Sequence, residues 1–302
     1  MQEIAPTGAQ YQIRSGDQAA VVVEVGGGLR AYAVAGQEVI DGYPEQELPP
    51  AGAGQILAPW PNRLRDGRYH WHGADYQLAL SEPVNGNAIH GLVRWLPWPA
   101  VSVAEDRVTL ACRLDPHPGY PWRLDLTTTW SVGPDGLRAE HSATNRSDAP
   151  APFGLGAHPY LVLPATAVDD VVLTIPADRR LIVDGRKLPL AGPLVAGTDW
   201  DFTQGRRIGA ARLDTAFGDR TPGGAAVLST VEGSRRVMLW ADETFRWWQA
   251  FTGDPLAPPR ARRAVAVEPM TCPPDAFRSG RDLVTLEPGA TWQGSWGIRP
   301  EL

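Results

Sequence analysis

Residues Arg123 to Trp130 read RLDLTTTW. In an extended chain Leu124, Leu126, Thr128 and Trp130 share one face, and Asp125, Thr127 and Thr129 share the other. A period of two with one apolar face is the mark of a strand that covers a core. The turn VGPDG, Val132 to Gly136, follows, and GLRAEHSATN, Gly136 to Asn145, then reads as the returning strand of a hairpin. Immediately upstream, RVTLACRL (Arg107 to Leu114) alternates in the same way.

The same signature recurs outward along the chain. AAVVVEV (Ala19 to Val25) is a β-branched run closed by Gly26, Gly27 and Gly28, and RYHWHGADYQL (Arg68 to Leu78) reads as a hairpin with Gly73 in its turn. Further strands are expected in DDVVLTIP (Asp169 to Pro176), RRVMLWA (Arg235 to Ala241), FRWWQAFTG (Phe245 to Gly253), RAVAVEP (Arg263 to Pro269) and ATWQGSWGI (Ala290 to Ile298). No segment holds an apolar stripe of 3.6-residue period for three turns, so helices should be few and short. PPDAF (Pro273 to Phe277) is a candidate for one turn. The 32 Gly and 29 Pro of the 302 residues agree with many short strands joined by turns. There is no internal repeat and no linker, since the richest loop, Thr252 to Arg263, sits between two strands. The expectation is all-β: one large, mostly antiparallel β-sandwich domain over residues 1–302.

Composition removes several function classes. A net charge of −6 is wrong for a nucleic-acid partner, which demands a basic surface. Cys112 and Cys272 show neither metal-ligand spacing nor a disulfide framework, which suits a reducing compartment. The start MQEIAPTGAQ lacks a basic-then-apolar signal pattern, and no run approaches the ~18 apolar residues that read as a membrane span. A soluble cytoplasmic protein, monomer or homodimer, without a membrane partner is expected. Twelve Trp is a high number; most should pack the core, and a few could line a pocket for a ligand with apolar faces and polar edges, such as a sugar.

Of six His, four look ordinary. His70 and His72 share a strand face without a third ligand nearby, His117 sits in a Pro-rich loop, and His141 lies among polar strand residues. His90 and His158 stand apart. His90, in VNGNAIHGL, follows an Asn-Gly-Asn turn and precedes Gly91. His158, in GLGAHPYL, precedes Pro159, which forces an extended backbone, and small neighbours allow close approach. Glu268 ends the apolar run AVAVE; a carboxylate there must be paired or partly wet, and burial would raise its pKa toward that of a general base. Arg63 beside Asn62 offers a fork of donors for hydroxyl or carboxylate oxygens. No phosphate loop, nucleophile elbow, HExxH or CxxC motif is present. What remains is acid–base chemistry by His and carboxylate, with neither cofactor nor metal.

At these residues the chain resembles the aldose 1-epimerase (galactose mutarotase) family. PWPNRLRDGRYHWHGADYQL is similar to its Asn-Arg motif and following hairpin, NGNAIHGL to its Asn-x-x-His-Gly segment, and GLGAHPYL to its His-Pro-Tyr segment. LDTAF, WQAFTG and VAVEPMTCPPDAF resemble its Asp, Gln and Glu segments, and all six occur in order between about residue 60 and 277. The resemblance implies a β-supersandwich and interconversion of the α and β anomers of a free aldohexose such as glucose or galactose. It implies Glu268 as base, His158 as acid, His90 as a hydrogen-bond partner near the ring oxygen, and Asn62, Arg63, Asp214 and Gln249 as hydroxyl ligands. The chain departs from the pattern at Leu92, where a second Gly is common, and at Phe251, where many members carry Tyr. The tract from Leu161 to Leu213 aligns poorly.

Three alternatives compete. A hexose-6-phosphate mutarotase would need cations near C6, for which Arg65, Arg68, Arg94 or the cluster Arg260, Arg262 and Arg263 are available. A glycoside hydrolase would pair Glu268 with Asp214 at about 5–5.5 or 6.5–9.5 Å. A non-catalytic carbohydrate-binding protein would use the Trp residues and no proton donor.

Overall fold

A computed structural model describes residues 5–302. Of the N-terminal stretch read above, residues 1–4 lie outside the described residues. The hairpin at the start of the reading is present: Leu124–Gly133 pairs antiparallel with Gly136–Asn145, from Leu124 opposite Asn145 to Gly133 opposite Gly136. Its apolar face is the buried one, with Leu124, Leu126, Thr128 and Trp130 inside and the alternate residues half-exposed.

This hairpin forms the third and fourth strands of a nine-stranded antiparallel sheet. Arg107–Leu114 and Ala100–Val103 extend it on one side. On the other, Gly136–Asn145 pairs with the long terminal strand Thr291–Glu301, followed by Arg236–Ala241, Ala226–Ser229, Val172–Thr174 and Arg206–Arg207. A second sheet of seven strands runs Ala177–Arg180, Asp214–Arg220, Trp247–Phe251, Val265–Met270, then the short Gly156–Ala157 and Ile56–Leu57, with Tyr160–Leu161 also on Val265–Met270. A four-stranded sheet built from Gln10–Glu38 packs on the first through Trp130, whose indole N–H donates to the Gly27 carbonyl at 2.9 Å.

Aromatic side chains join the layers. Trp292 of the terminal strand meets Phe153 at 5.4 Å and Phe245 at 6.0 Å, and Trp296 sits edge-on to Trp130 at 5.5 Å. The buried apolar cluster draws on residues from Ile13 to Ile298. The chain is thus a large antiparallel β-supersandwich, as expected.

Two sequence readings shift. Asp169 to Pro176 is not one strand: Val168–Asp170 forms a 3-10 turn and only Val172–Thr174 is extended. Asp169 and Asp170 are engaged by Arg262 and Arg207, and acidic residues favour turns over strand interiors. Among the described residues the single α-helix is one turn, Ala276–Ser279, at the end of the PPDAF stretch.

Candidate active site

One cross-strand row of the seven-stranded sheet carries the chemistry. Gln249 of Trp247–Phe251 lies directly opposite Glu268 of Val265–Met270. Ala216 lies opposite Gln249, which puts Asp214, two residues back, on the same face. On the other flank, Gly156 faces Met270 and Tyr160 faces Ala266, so the shared register sets His158 opposite Glu268. The break between these two short strands falls at His158–Pro159, where proline has no N–H for the ladder. The backbone N–H of His158 donates instead to Gln55 O at 3.1 Å.

A second, smaller ladder brings in the remaining residues. Arg63–Arg65 pairs with Asn87–Ile89. Asn62 and His90, at adjoining ends of this ladder, both adopt left-handed backbone, with φ of 55° and 62°. Their N–H groups are used reciprocally: His90 N–H donates to Asn62 O at 3.0 Å, and Asn62 N–H donates to His90 Nδ1 at 3.3 Å. Because Nδ1 accepts, the neutral ring carries its proton on Nε2, and that nitrogen is a hydrogen-bond donor. Gly91 makes the turn possible: its φ is +68°, and a Cβ there would lie 2.0 Å from the Ala58 carbonyl oxygen.

These elements enclose a cavity of about 410 Å³ lined by all seven residues singled out in the sequence. That volume falls in the roughly 300–1,000 Å³ range of small-molecule sites. His158 Nε2 lies 3.3 Å from Glu268 Oε1, and both side chains are buried. The rings of His90 and His158 meet edge to face at 5.5 Å, and Tyr160 stacks on His158 at 5.0 Å. Gln249 Nε2 donates to Asp214 Oδ1 at 2.8 Å. Glu268 Oε2 and Gln249 Oε1 are buried without a hydrogen-bond partner in the protein. Buried polar atoms are rarely left so, and at a pocket they are positioned to accept from a polar ligand.

Burial pushes the Glu268 carboxyl well above its ordinary 4.5, and the nearby Asp214 carboxylate adds to this. Burial pushes His158 down to about 4 and His90 well below 6.5, the latter helped by His158 itself. Desolvation therefore favours the uncharged form of each member of the pair: a protonated Glu268 beside a neutral His158.

Residues the sequence reading missed hold the predicted ones in place. Glu82 takes Arg63 in a bidentate grip, with Nε and Nη2 both 2.9 Å from a carboxylate oxygen, and also accepts from Asn87 Nδ2 at 3.0 Å. Burial alone would raise Glu82, but Arg63 and Asn87 outweigh it and hold the carboxyl low. Lys187 Nζ lies 3.4 Å from Asp214 Oδ2. Lys187 comes from the poorly aligning tract, and neighbouring Arg186 clamps that tract to the carbonyls of Asn85 and Gly86. Only the Trp residue Trp95 lines the cavity; Trp60, Trp98, Trp247, Trp248, Trp292 and Trp296 are core.

The other His residues fall elsewhere. His70 is exposed against Asp75, His72 occupies a hairpin turn, and His117 is a loop residue. His141 lies in the expected strand between polar neighbours, with its ring buried between Thr128 Oγ1 and the Trp296 indole N–H, both at 2.9 Å. A larger cavity of about 810 Å³ lies over the Arg68–Gln77 hairpin and contains no buried His–carboxylate pair. No cluster of three or more His, Cys, Asp or Glu among the described residues could hold a metal, and no helix among them is long and apolar enough to cross a membrane.

The sequence and the fold both have parallels in known proteins. The sequence model of the aldose 1-epimerase family matches residues 9–299. An Escherichia coli K12 protein, the uncharacterized protein YihR, is 34% identical over 284 residues, covering 94% of this chain and 90% of its own. A crystal structure of a putative aldose 1-epimerase from E. coli K12 superposes with a TM-score of 0.86 at 20% identity, covering 97% of this chain and 99% of the other. The galactose 1-epimerase of Lactobacillus acidophilus NCFM superposes with a TM-score of 0.80 at 22% identity, covering 96% and 93%.

Proposed function

This chain belongs to the aldose 1-epimerase family, and we propose that it interconverts the α and β anomers of an aldose by acid–base ring opening, without a cofactor, with Glu268 as base and His158 as acid. The observation that carries this reading is the buried contact of 3.3 Å between His158 Nε2 and Glu268 Oε1. The ring oxygen and the anomeric hydroxyl of a pyranose are bonded to the same carbon, C1. A base for one and an acid for the other must therefore be neighbours, each within about 2.6–3.2 Å of its oxygen.

The steps balance on one proton in and one proton out. Glu268 carboxylate accepts the proton of the C1 hydroxyl as the C1–ring oxygen bond breaks, and the ring oxygen takes a proton from the His158 imidazolium. The products are an open-chain aldehyde, a protonated Glu268 and a neutral His158. Rotation about C1–C2 presents the other face of the carbonyl. Closure runs the same transfers backward and returns carboxylate and imidazolium. The proton state after ring opening is the uncharged pair that burial favours, so the pocket stabilises the state in which the intermediate is held. His90, with its proton on Nε2, donates toward the ring oxygen as charge develops there. Asn62, Arg63, Asp214 and Gln249 hold hydroxyls and fix the sugar. A glucose- or galactose-like aldohexose suits this set of ligands, and the named activity of the L. acidophilus neighbour accords with it.

Anomer exchange measured by proton NMR on freshly dissolved aldoses tests the reading. Saturable binding without catalysed exchange would assign the pocket to a carbohydrate-binding protein instead.

A further inference from the structure

The sequence offers six arginines as cations for a charged sugar substituent, and the structure spends five of them elsewhere. Arg65 faces Asp184 and Asp275 at 3.8 Å, and Arg68 donates to Gln77 at 2.6 Å. Arg260 and Arg263 bind Asp41 at 3.1 and 2.7 Å. Arg262 binds Asp169 at 2.6 Å and Asp254 at 2.8 Å.

Arg94 alone of the six lines the cavity with His158 and Glu268. It is half-buried, and among the described residues no carboxylate lies within 4.0 Å of its guanidinium and no side-chain hydrogen bond is made by it. Its one close contact of note is the Trp95 ring, at 5.4 Å. The other pocket guanidinium, Arg63, is taken by Glu82, and Lys187 by Asp214. A partly desolvated cation without a counter-ion is costly. A neutral sugar would leave it so, because hydroxyls carry no charge. The positive charge of Arg94 also weighs against protonation of His90 and His158. A bound anion would neutralise it and favour the imidazolium that ring opening consumes.

We infer that the pocket is built for an aldopyranose bearing one negative charge, of the carboxylate, sulfate or sulfonate class, with Arg94 as the residue that recognises the anion. The inference rests on the proposed acid–base reading of the same site. The charge count separates these monoanions from phosphate monoesters. A phosphate carries about −1.5 to −2 at neutral pH, and the pocket has a single unspent cation to meet it, with Glu82 and Asp214 also on its walls. A guanidinium fork matches two oxygens of one anionic group.

The test is anomer exchange by proton NMR on glucose, glucuronate, glucose 6-sulfate, 6-deoxy-6-sulfoglucose and glucose 6-phosphate. Wild type, Arg94→Met and Arg94→Lys are compared, with thermal melts confirming that each variant folds. We expect at least one monoanionic sugar to exceed glucose in kcat/KM by about tenfold or more, the scale of a charged hydrogen bond. Arg94→Met should collapse that ratio toward one, and Arg94→Lys should restore part of it. Equal kcat/KM for glucose and all three monoanions, a ratio insensitive to Arg94→Met, or a clear preference for the phosphate would overturn the inference while leaving mutarotation standing. No catalysed exchange on any sugar would overturn mutarotation instead; calorimetry with the same panel then decides, Arg94-dependent binding of a monoanion supporting the inference and its absence ending it.

Discussion

His158 Nε2 lies 3.3 Å from Glu268 Oε1 across a ladder that joins two distant parts of the chain. Either group alone in that buried place would be driven to its neutral form. Together they need only one proton between them. Moving it from Glu268 to His158 turns an uncharged pair into the base and acid that ring opening requires, with no change in net charge.

A broad pH plateau follows. The active pair holds one proton. On the acid side it gains a second as His158 is protonated beside a protonated Glu268, and burial has moved that event down to about 4. On the alkaline side it loses its last proton, and burial with Asp214 has moved that event up from the ordinary carboxylate range. The kcat profile should therefore stay level above about pH 5, up to an alkaline limb displaced upward from the carboxylate range. Asp214→Asn removes a charge that raises Glu268, so its alkaline limb should shift to lower pH, read from kcat at saturating sugar. An unmoved limb would contradict the electrostatic account.

Glu82 touches Arg63 rather than taking part in the proton transfers. Glu82→Gln replaces one arm of the bidentate grip and should raise KM about tenfold, the order of one charge-assisted hydrogen bond, while kcat falls less. Steady-state rates across sugar concentrations separate the two, and a fall in kcat alone would argue against a binding role for Arg63.

Gly91→Ala tests the turn that aims His90. The added Cβ would lie 2.0 Å from the Ala58 carbonyl oxygen at a φ of +68°. We expect a loss of about 1–3 kcal/mol in denaturant unfolding, the scale of a strained backbone position, together with a drop in kcat as His90 is displaced. A variant of unchanged stability and rate would show that this turn tolerates a side chain.

Much of this was legible in the sequence, for definite reasons. The alternation of Leu124, Leu126, Thr128 and Trp130 is a local property, and the strand it predicts is present over its whole length. His158 was readable as an extended residue because Pro159 dictates it. Its position opposite Glu268 was not, because that depends on pairing Gly156 with Met270 across the fold. Glu82 escaped notice for the same reason: an exposed-looking SEP tripeptide gives no sign that Arg63 will fold back on it. The burial of His141 follows from strand alternation, which turns it inward while its polar neighbours Glu140 and Ser142 face outward. Arg94 was one cation among six, and only its place on the cavity wall and the side-chain partners of the other five, four with carboxylates and Arg68 with Gln77, set it apart.

The most direct measurement is magnetisation-exchange NMR between the two anomeric protons of an aldose the wild type turns over, repeated with Glu268→Gln and His158→Asn. Each substitution should cut the catalysed exchange by about 10²–10⁴-fold, the range for one general acid or base, and Glu268→Gln should melt no lower than wild type because a costly buried carboxyl has been removed. Exchange that persists at the wild-type rate in either folded variant would contradict the assignment of Glu268 as base and His158 as acid.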